Sequence, residues 1–432
     1  MRFQPSEPAF FSRNRTRLTR RFKPGAIAVF NSNDIMPINA DGTMPFRQNS
    51  DLYYLTGIHQ EESILLMCPE APQPNLREIL FLREPNELLE KWEGHKLTRS
   101  EATAISGISN VQWLSDFQKI FHHLMTMGGG DRVYLNTNEH YRSEVVVETR
   151  DARFIDWCRK HYPLHRYDRV APLMADLRRI KQPEEIALMQ QACDITEKGF
   201  RRVLGFVKPG VTEYEIEAEF LHEFIRNRSR GFAYQPIIAS GKDNVILHYT
   251  ENNKVCRDGE LVLLDVAAEY ANYNSDLTRT IPVNGRFTKR QKEVYRSVLH
   301  VMKEAKKMIS TGMVYFDYHR EVERIMASEL VRLKLIAKSD LKDHKSASPA
   351  WRKYYYHGTS HMLGLDVHDV GNMHAKMSVG SVWTIEPGIY IKEEGFGIRL
   401  ENNVLIEKKG VRDLMENIPL EAEEIEELMN AR

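Results

Sequence analysis

HGTSHMLGLDVHDVG (357–371) places His357, His361 and His368 within fifteen residues, punctuated by glycines and aspartates. Each imidazole is able to hold a metal, carry a proton or pack. Which does which depends on acidic residues far away on both sides.

Asp265 ends the apolar run ELVLLD, and Asp276 begins the next strand-like run, SDLTRT. Tyr270, Asn272, Tyr273 and Asn274 between them are able to turn the chain, so two neighbouring strands would bring both carboxylates to one spot. An aspartate ending a buried run is costly unless it is paired or bound to a cation. Glu386 in TIEPGIY and Glu401 in GIRLEN lie in strand-like runs and pose the same demand. Plainer alternatives are turn-capping for the aspartates and a salt bridge from Arg399 to Glu386 or Glu401. Gathered together, the four carboxylates of Asp265, Asp276, Glu386 and Glu401 carry about four negative charges beside His361, and would raise one another's pKa. Two divalent cations would cancel that charge. Oxygen-rich ligation points to Mn²⁺ before thiolate-loving metals.

The rest of the chain frames this cluster. Its 432 residues exceed one ordinary core, so two domains are expected, 1–175 and 176–432. In the first, AIAVF (26–30), ESILLM (62–67), EILFL (78–82) and RVYL (132–135) read as strands, with helices around 86–106 and 113–127. That alternation predicts an α/β domain. The Arg-rich stretch 13–23 reads as the solvated face of a short first helix. In the second, Pro183, Glu184 and Glu185 open a long helix with a buried stripe at Ile186, Met189, Cys193, Thr196, Phe200 and Val203, stopped by KPG (208–210). Thr212 with Glu215, and Thr288 with Gln291, fit capping boxes opening further helices. A fourth runs from about 316 to 335. Strand-like runs at 232–240, 260–268, 275–283, 381–391 and 397–407 complete an α+β domain. The closing acidic segment reads as a solvated helix.

Lys plus Arg and Asp plus Glu both total 60, so no net charge steers the chain to nucleic acid or an anionic membrane. No apolar run approaches the roughly 18 residues needed to span a bilayer. The four cysteines are widely spaced and read as free thiols of a cytoplasmic protein.

The chain resembles the aminopeptidase P (Xaa-Pro aminopeptidase) family of the creatinase and methionine-aminopeptidase "pita-bread" fold. The resemblance rests on FRQNSDLYYLTG (46–57), HYTENN (248–253), LLDVAAEYANYNSDLTRTIPVNG (263–285), HGTSHMLGLDVHDVG, TIEPGIY (384–390) and GIRLEN (397–402), in family order. It implies an α/β N-terminal domain and an α+β pita-bread catalytic domain. It puts metal ligands on Asp265, Asp276, His361, Glu386 and Glu401, with Asp276 and Glu401 shared between two ions. Mn²⁺ is expected, with Co²⁺ and Zn²⁺ as alternatives. His357 and His368 then line the substrate site beside His248, with Tyr234, Tyr390 and Arg399 shaping the pocket. Trp92 in EKWEGHKL also matches, and implies a homo-oligomer, dimer or tetramer, in which the first domain approaches a neighbour's site. Thr359, Met362 and Asn402 depart from some relatives without removing a ligand.

The implied reaction is release of the N-terminal residue from peptides with proline second, by a hydroxide held between the metals. Glu386 would take its proton, and His368 would support the intermediate. A prolidase restricted to Xaa-Pro dipeptides shares the metal motif; FRQNSDLYYLTG and the lack of large insertions favour the aminopeptidase. A pita-bread module that binds peptides without cleaving them would have lost ligands, and here the set is intact.

Overall fold

The computed structural model describes residues 3–127, 130–137, 139–143, 146–342 and 349–431. The chain divides into two compact units, Pro5–Arg178 and Arg179–Arg432, the second also taking in Phe3 and Gln4. Among the described residues, no helix is long and apolar enough to cross a membrane.

The first unit is built on a mixed six-stranded sheet. Its strands run in the order Val111–Trp113, Glu78–Leu82, Ile64–Met67, Ala26–Asn31, Arg132–Leu135, Arg166–Arg169. Ala26–Asn31 is buried at every position, as an unbroken apolar run requires of a strand covered on both faces. It pairs antiparallel with Ile64–Met67 and parallel with Arg132–Leu135. Two expectations change here. The stretch 86–106 is two helices, Glu87–Glu93 and Arg99–Ser106. Gly94 at φ 81° ends one, and a Thr98–Glu101 capping box starts the other. The first helix, Pro8–Thr19, is not merely a solvated face. Arg15 is buried, donating to Glu78 at 2.9 Å and to the carbonyls of Leu55 (2.8 Å) and Ser106 (2.9 Å). A guanidinium presents five donors, so it can be buried when this many acceptors converge.

The second unit twice repeats a pair of helices followed by antiparallel strands. Pro183–Phe206 and Glu213–Arg226 precede the sheet Thr278–Pro282, Leu261–Asp265, Ile237–Ser240. Lys289–Met308 and Tyr315–Arg332 precede Val382–Ile385, Asn402–Ile406, Val411–Asp413 and the hairpin Gly388–Ile391 with Phe396–Arg399. The capping boxes form at Thr212 and Thr288. Between Asp265 and Asp276 the chain makes a short hairpin, Glu269–Tyr270 with Tyr273–Asn274. Ala271 (φ 51°) and Asn272 (φ 67°) turn it, the two successive positive φ values of a tight hairpin turn.

The runs 381–391 and 397–407, read as single strands, are each broken in two. The ladder pairs Ile385 with Asn402 and, beyond the gap, Gly388 with Arg399. Both strands therefore leave the ladder at the same level. Pro387 lacks the N–H a ladder needs, and its carbonyl accepts from the Leu400 amide at 3.2 Å instead. Glu386 and Glu401 sit in these facing breaks. The closing helix, Ala422–Asn430, is likewise more than a solvated segment. Ala422, Ile425 and Met429 are buried, while Glu423 and Glu426 pair with Arg296 and Lys292 of Lys289–Met308.

Candidate metal centre

Asp265 ends its strand opposite Thr278, and Asp276 lies two residues before Thr278. The ladder thus carries both aspartates to the same sheet end. Asp276 is fixed by Asn403: its N–H donates to Asn403 Oδ1 at 3.0 Å, and Asn403 Nδ2 donates to its carbonyl at 2.7 Å. Glu401 receives the Thr278 hydroxyl on Oε2 at 2.7 Å. His361 is held through its backbone, its N–H donating to Thr384 Oγ at 3.1 Å and its carbonyl accepting from the Thr384 N–H at 2.9 Å.

Donor atoms of Asp276, His361 and Glu401 all lie within 4.8 Å of one another. His361 Nε2 is 3.3 Å from Asp276 Oδ2 and 3.7 Å from Glu386 Oε1. Asp265 stands at the edge of this group, bound by the Tyr234 hydroxyl (2.6 Å) and Arg399 Nη2 (2.6 Å). Arg399 also donates to Thr278 Oγ (3.1 Å) and the Tyr390 hydroxyl (2.9 Å). The buried guanidinium therefore pairs with Asp265, not with Glu386 or Glu401 as the plainer reading had it.

Burial, with Asp276 and Asp265 adding to it, pushes the Glu386 carboxyl up to about 7 against the pull of His361 and Arg399. Burial and the neighbouring carboxylates hold Glu401 well above the usual range. Burial also raises Asp265, although Arg399 opposes it. For His361 burial disfavours the charged ring, but Asp276 and Glu386 outweigh it and raise the imidazole. Burial is the first cause of all three upward shifts, and the mutual repulsion of the carboxylates adds to it. Oxygen-rich donors of this kind fit divalent cations.

Around the cluster, His368 stacks on His361 with ring centroids 4.1 Å apart. His357 has both ring nitrogens engaged: Nδ1 with the Gly358 carbonyl (2.8 Å) and Nε2 with the Tyr390 hydroxyl (2.8 Å). Burial, helped by Arg399, pushes its imidazole down to about 3, so the ring is neutral near pH 7. His248 is exposed. Tyr234 is no ordinary core tyrosine, since its hydroxyl ends on Asp265. Trp92, in the first unit, is 82% exposed and not packed within its own domain.

Thr278, Asn403 and Thr384 escaped the sequence reading. Thr278 was findable, because a strand's two-residue period puts it on the same face as Asp276. Asn403 offers no such signal; its role depends on a register that brings Asn402–Ile406 beside Asp276.

Comparison with known proteins bears on this geometry. Residues 187–408 match the model of metallopeptidase family M24, and residues 11–134 match that of the aminopeptidase P N-terminal domain. The Xaa-Pro aminopeptidase of Escherichia coli is 35% identical over 98% of this chain and 97% of its own. Human Xaa-Pro aminopeptidase 3 is 31% identical over 92% of this chain and 79% of its own. The structure of zinc-substituted E. coli aminopeptidase P in complex with product superposes at TM-score 0.87, with 33% identity and 99% of each chain covered.

Proposed function

The chain belongs to metallopeptidase family M24, and on that premise we propose that it is a Xaa-Pro aminopeptidase, releasing the N-terminal residue of peptides whose second residue is proline. The observation that carries this reading is similarity to named Xaa-Pro aminopeptidases along almost the whole chain, N-terminal domain included. It supports the aminopeptidase over a dipeptide-only prolidase. The intact acidic cluster speaks against a non-catalytic binding module.

Asp265, Asp276, His361, Glu386 and Glu401 would hold two divalent ions. Mn²⁺ is the first choice on the carboxylate-rich donor set, with Co²⁺ and Zn²⁺ as alternatives. When bound, the pair acidifies a water and polarises the scissile carbonyl. The chain's own groups do the rest. The nitrogen of a prolyl bond leaves only when protonated. Of the candidates for that proton, His357 is the poorer, because both its nitrogens are tied and its ring is neutral. Glu386, 3.7 Å from both His357 Nδ1 and His361 Nε2, takes the proton from the attacking water and returns it to the prolyl nitrogen. His368 faces the developing oxyanion as a donor. Tyr234, Tyr390, Arg399 and His248 bound the pocket.

The exposed Trp92 supports a homo-oligomer, dimer or tetramer, whose partner surface it meets. The four buried free thiols agree with a reducing, cytoplasmic setting. Free alanine release from Ala-Pro-Ala, Ala-Pro and Ala-Ala-Ala, with Mn²⁺ present, tests the activity. Cleavage of the first well above the other two is expected. Cleavage confined to Ala-Pro would make the protein a prolidase.

A further inference from the structure

Behind the metal centre lies a polar chain that the reaction does not use. Thr359 is fully buried, two residues from both His357 and His361. Its hydroxyl is 2.6 Å from the Tyr355 hydroxyl and 2.8 Å from Nδ1 of His319, which lies on the helix Tyr315–Arg332. Its carbonyl accepts the N–H of Glu386 at 2.8 Å. On the other side of the imidazole, Nε2 faces Glu323 Oε1 at 3.6 Å, and Arg352 Nη2 is 3.9 Å from the same carboxylate oxygen.

We propose that His319 is a positioning residue for segment 357–361, holding the Thr359 hydroxyl and, through the Thr359 carbonyl, the Glu386 backbone at the metal centre. The carboxylate of Glu323 beside Nε2 favours one tautomer of the ring. Nε2 carries the ring proton toward Glu323, which leaves Nδ1 as an acceptor. Thr359 donates to Nδ1 and receives the Tyr355 O–H. The Thr359 hydroxyl is then satisfied both as donor and as acceptor, as a buried polar group requires. Burial holds the His319 imidazole below the ordinary histidine range despite Glu323, consistent with the neutral ring this pattern needs. His319 also stacks parallel to Tyr315 at 5.7 Å, and Tyr315 stacks on Trp383 at 6.1 Å. Trp383 lies on the strand leading to Glu386, so the helix is tied to both sides of the Thr359–Glu386 contact.

The inference rests on the reading of Glu386 and His361 as metal ligands. The test uses the full-length protein and the variants His319→Phe, His319→Asn, Thr359→Val, Thr359→Ser and the double variant His319→Phe/Thr359→Val. Mn²⁺ is titrated into each metal-free protein by calorimetry, and kcat and KM are measured on Ala-Pro-Ala. Phe keeps a ring and loses the acceptor; Asn restores an acceptor near the Nδ1 position. Loss of one buried hydrogen bond predicts about tenfold weaker binding at one of the two Mn²⁺ sites and about tenfold lower kcat for His319→Phe and Thr359→Val. KM should change little. Thr359→Ser and His319→Asn should recover most of the loss, and the double variant should be no worse than Thr359→Val alone, since that change already removes the hydroxyl that His319 holds. Parent-like Mn²⁺ binding and kcat in His319→Phe, or losses that multiply in the double variant, would overturn the proposal. Should His319→Phe not fold, His319→Leu, which also removes the acceptor, is measured in its place with the same expected and contradicting results. A parent protein that neither binds Mn²⁺ nor cleaves Ala-Pro-Ala would overturn the function itself, and the two failures are thus distinct.

Discussion

Arg399 meets three demands at once: it pairs with Asp265, holds the Tyr390 hydroxyl and reaches Thr278. A lysine lacks the planar fork whose separated nitrogens reach these three partners. Arg399→Lys should therefore lower kcat/KM on Ala-Pro-Ala by about ten- to a hundredfold, since hydrogen bonds to charged groups are worth about 1.5–3 kcal/mol each. Unchanged steady-state kinetics would remove Arg399 from the pocket. Asn403 acts one step further back, gripping both backbone groups of Asp276. Asn403→Ala leaves them buried without partners and should destabilise the protein by about 1–3 kcal/mol, measured by urea unfolding, with weaker Mn²⁺ binding alongside. At this scale much of the candidate site was legible. Asp265, Asp276, Glu386 and Glu401 stood out as acids in apolar runs, but the Arg399–Asp265 pairing did not, because partner choice depends on strand register. His357 read as a proton handler, whereas its surroundings tie both nitrogens. Neighbours on other elements determine that.

The elements show where local sequence is enough and where it is not. Capping boxes at Thr212 and Thr288 formed as read, because a cap is satisfied within four residues. The breaks at Glu386–Pro387 and Leu400–Glu401 were missed: each run is apolar enough for one strand, and only their pairing shows both leaving the ladder together. Pro387 was the one local warning. Glu185, read as helping to open a helix, does more. It is buried, receives the Gln182 N–H at 2.9 Å and the Tyr273 hydroxyl at 3.1 Å, and burial pushes its carboxyl up to about 7. A folded-state pKa above the unfolded one makes the folded protein hold this proton more tightly. The associated stability is fully present below about pH 4.5 and is lost as pH rises through 7, on the order of 3 kcal/mol in all. Glu185→Gln cannot ionise. Its stability relative to the parent should grow between pH 4.5 and 8, followed by denaturant unfolding at each pH. A difference that stays flat would contradict the buried, proton-retaining carboxyl.

For the molecule as a whole, the architecture was legible from the order of elements. An α/β unit of alternating strands and helices precedes an α+β unit, each built on its own sheets. What the sequence concealed was the use of facing strand breaks and a sheet end to gather acids that repel one another when no cation is present. That repulsion predicts a coupling between metal and stability. Mn²⁺ at about 100 times its Kd should stabilise the stripped protein by about 2.7 kcal/mol per site, seen as a rise in melting temperature that a chelator reverses. The same experiment, extended to turnover, bears most directly on the central claim that these five side chains hold two catalytic ions. Mn²⁺ is titrated into the stripped parent and into Asp276→Asn while heat and alanine release from Ala-Pro-Ala are followed together. Two equivalents bound by the parent, activity rising with them, and loss of both binding and cleavage in Asp276→Asn are expected. Cleavage by the stripped parent, or by Asp276→Asn at the parent's rate, would contradict it.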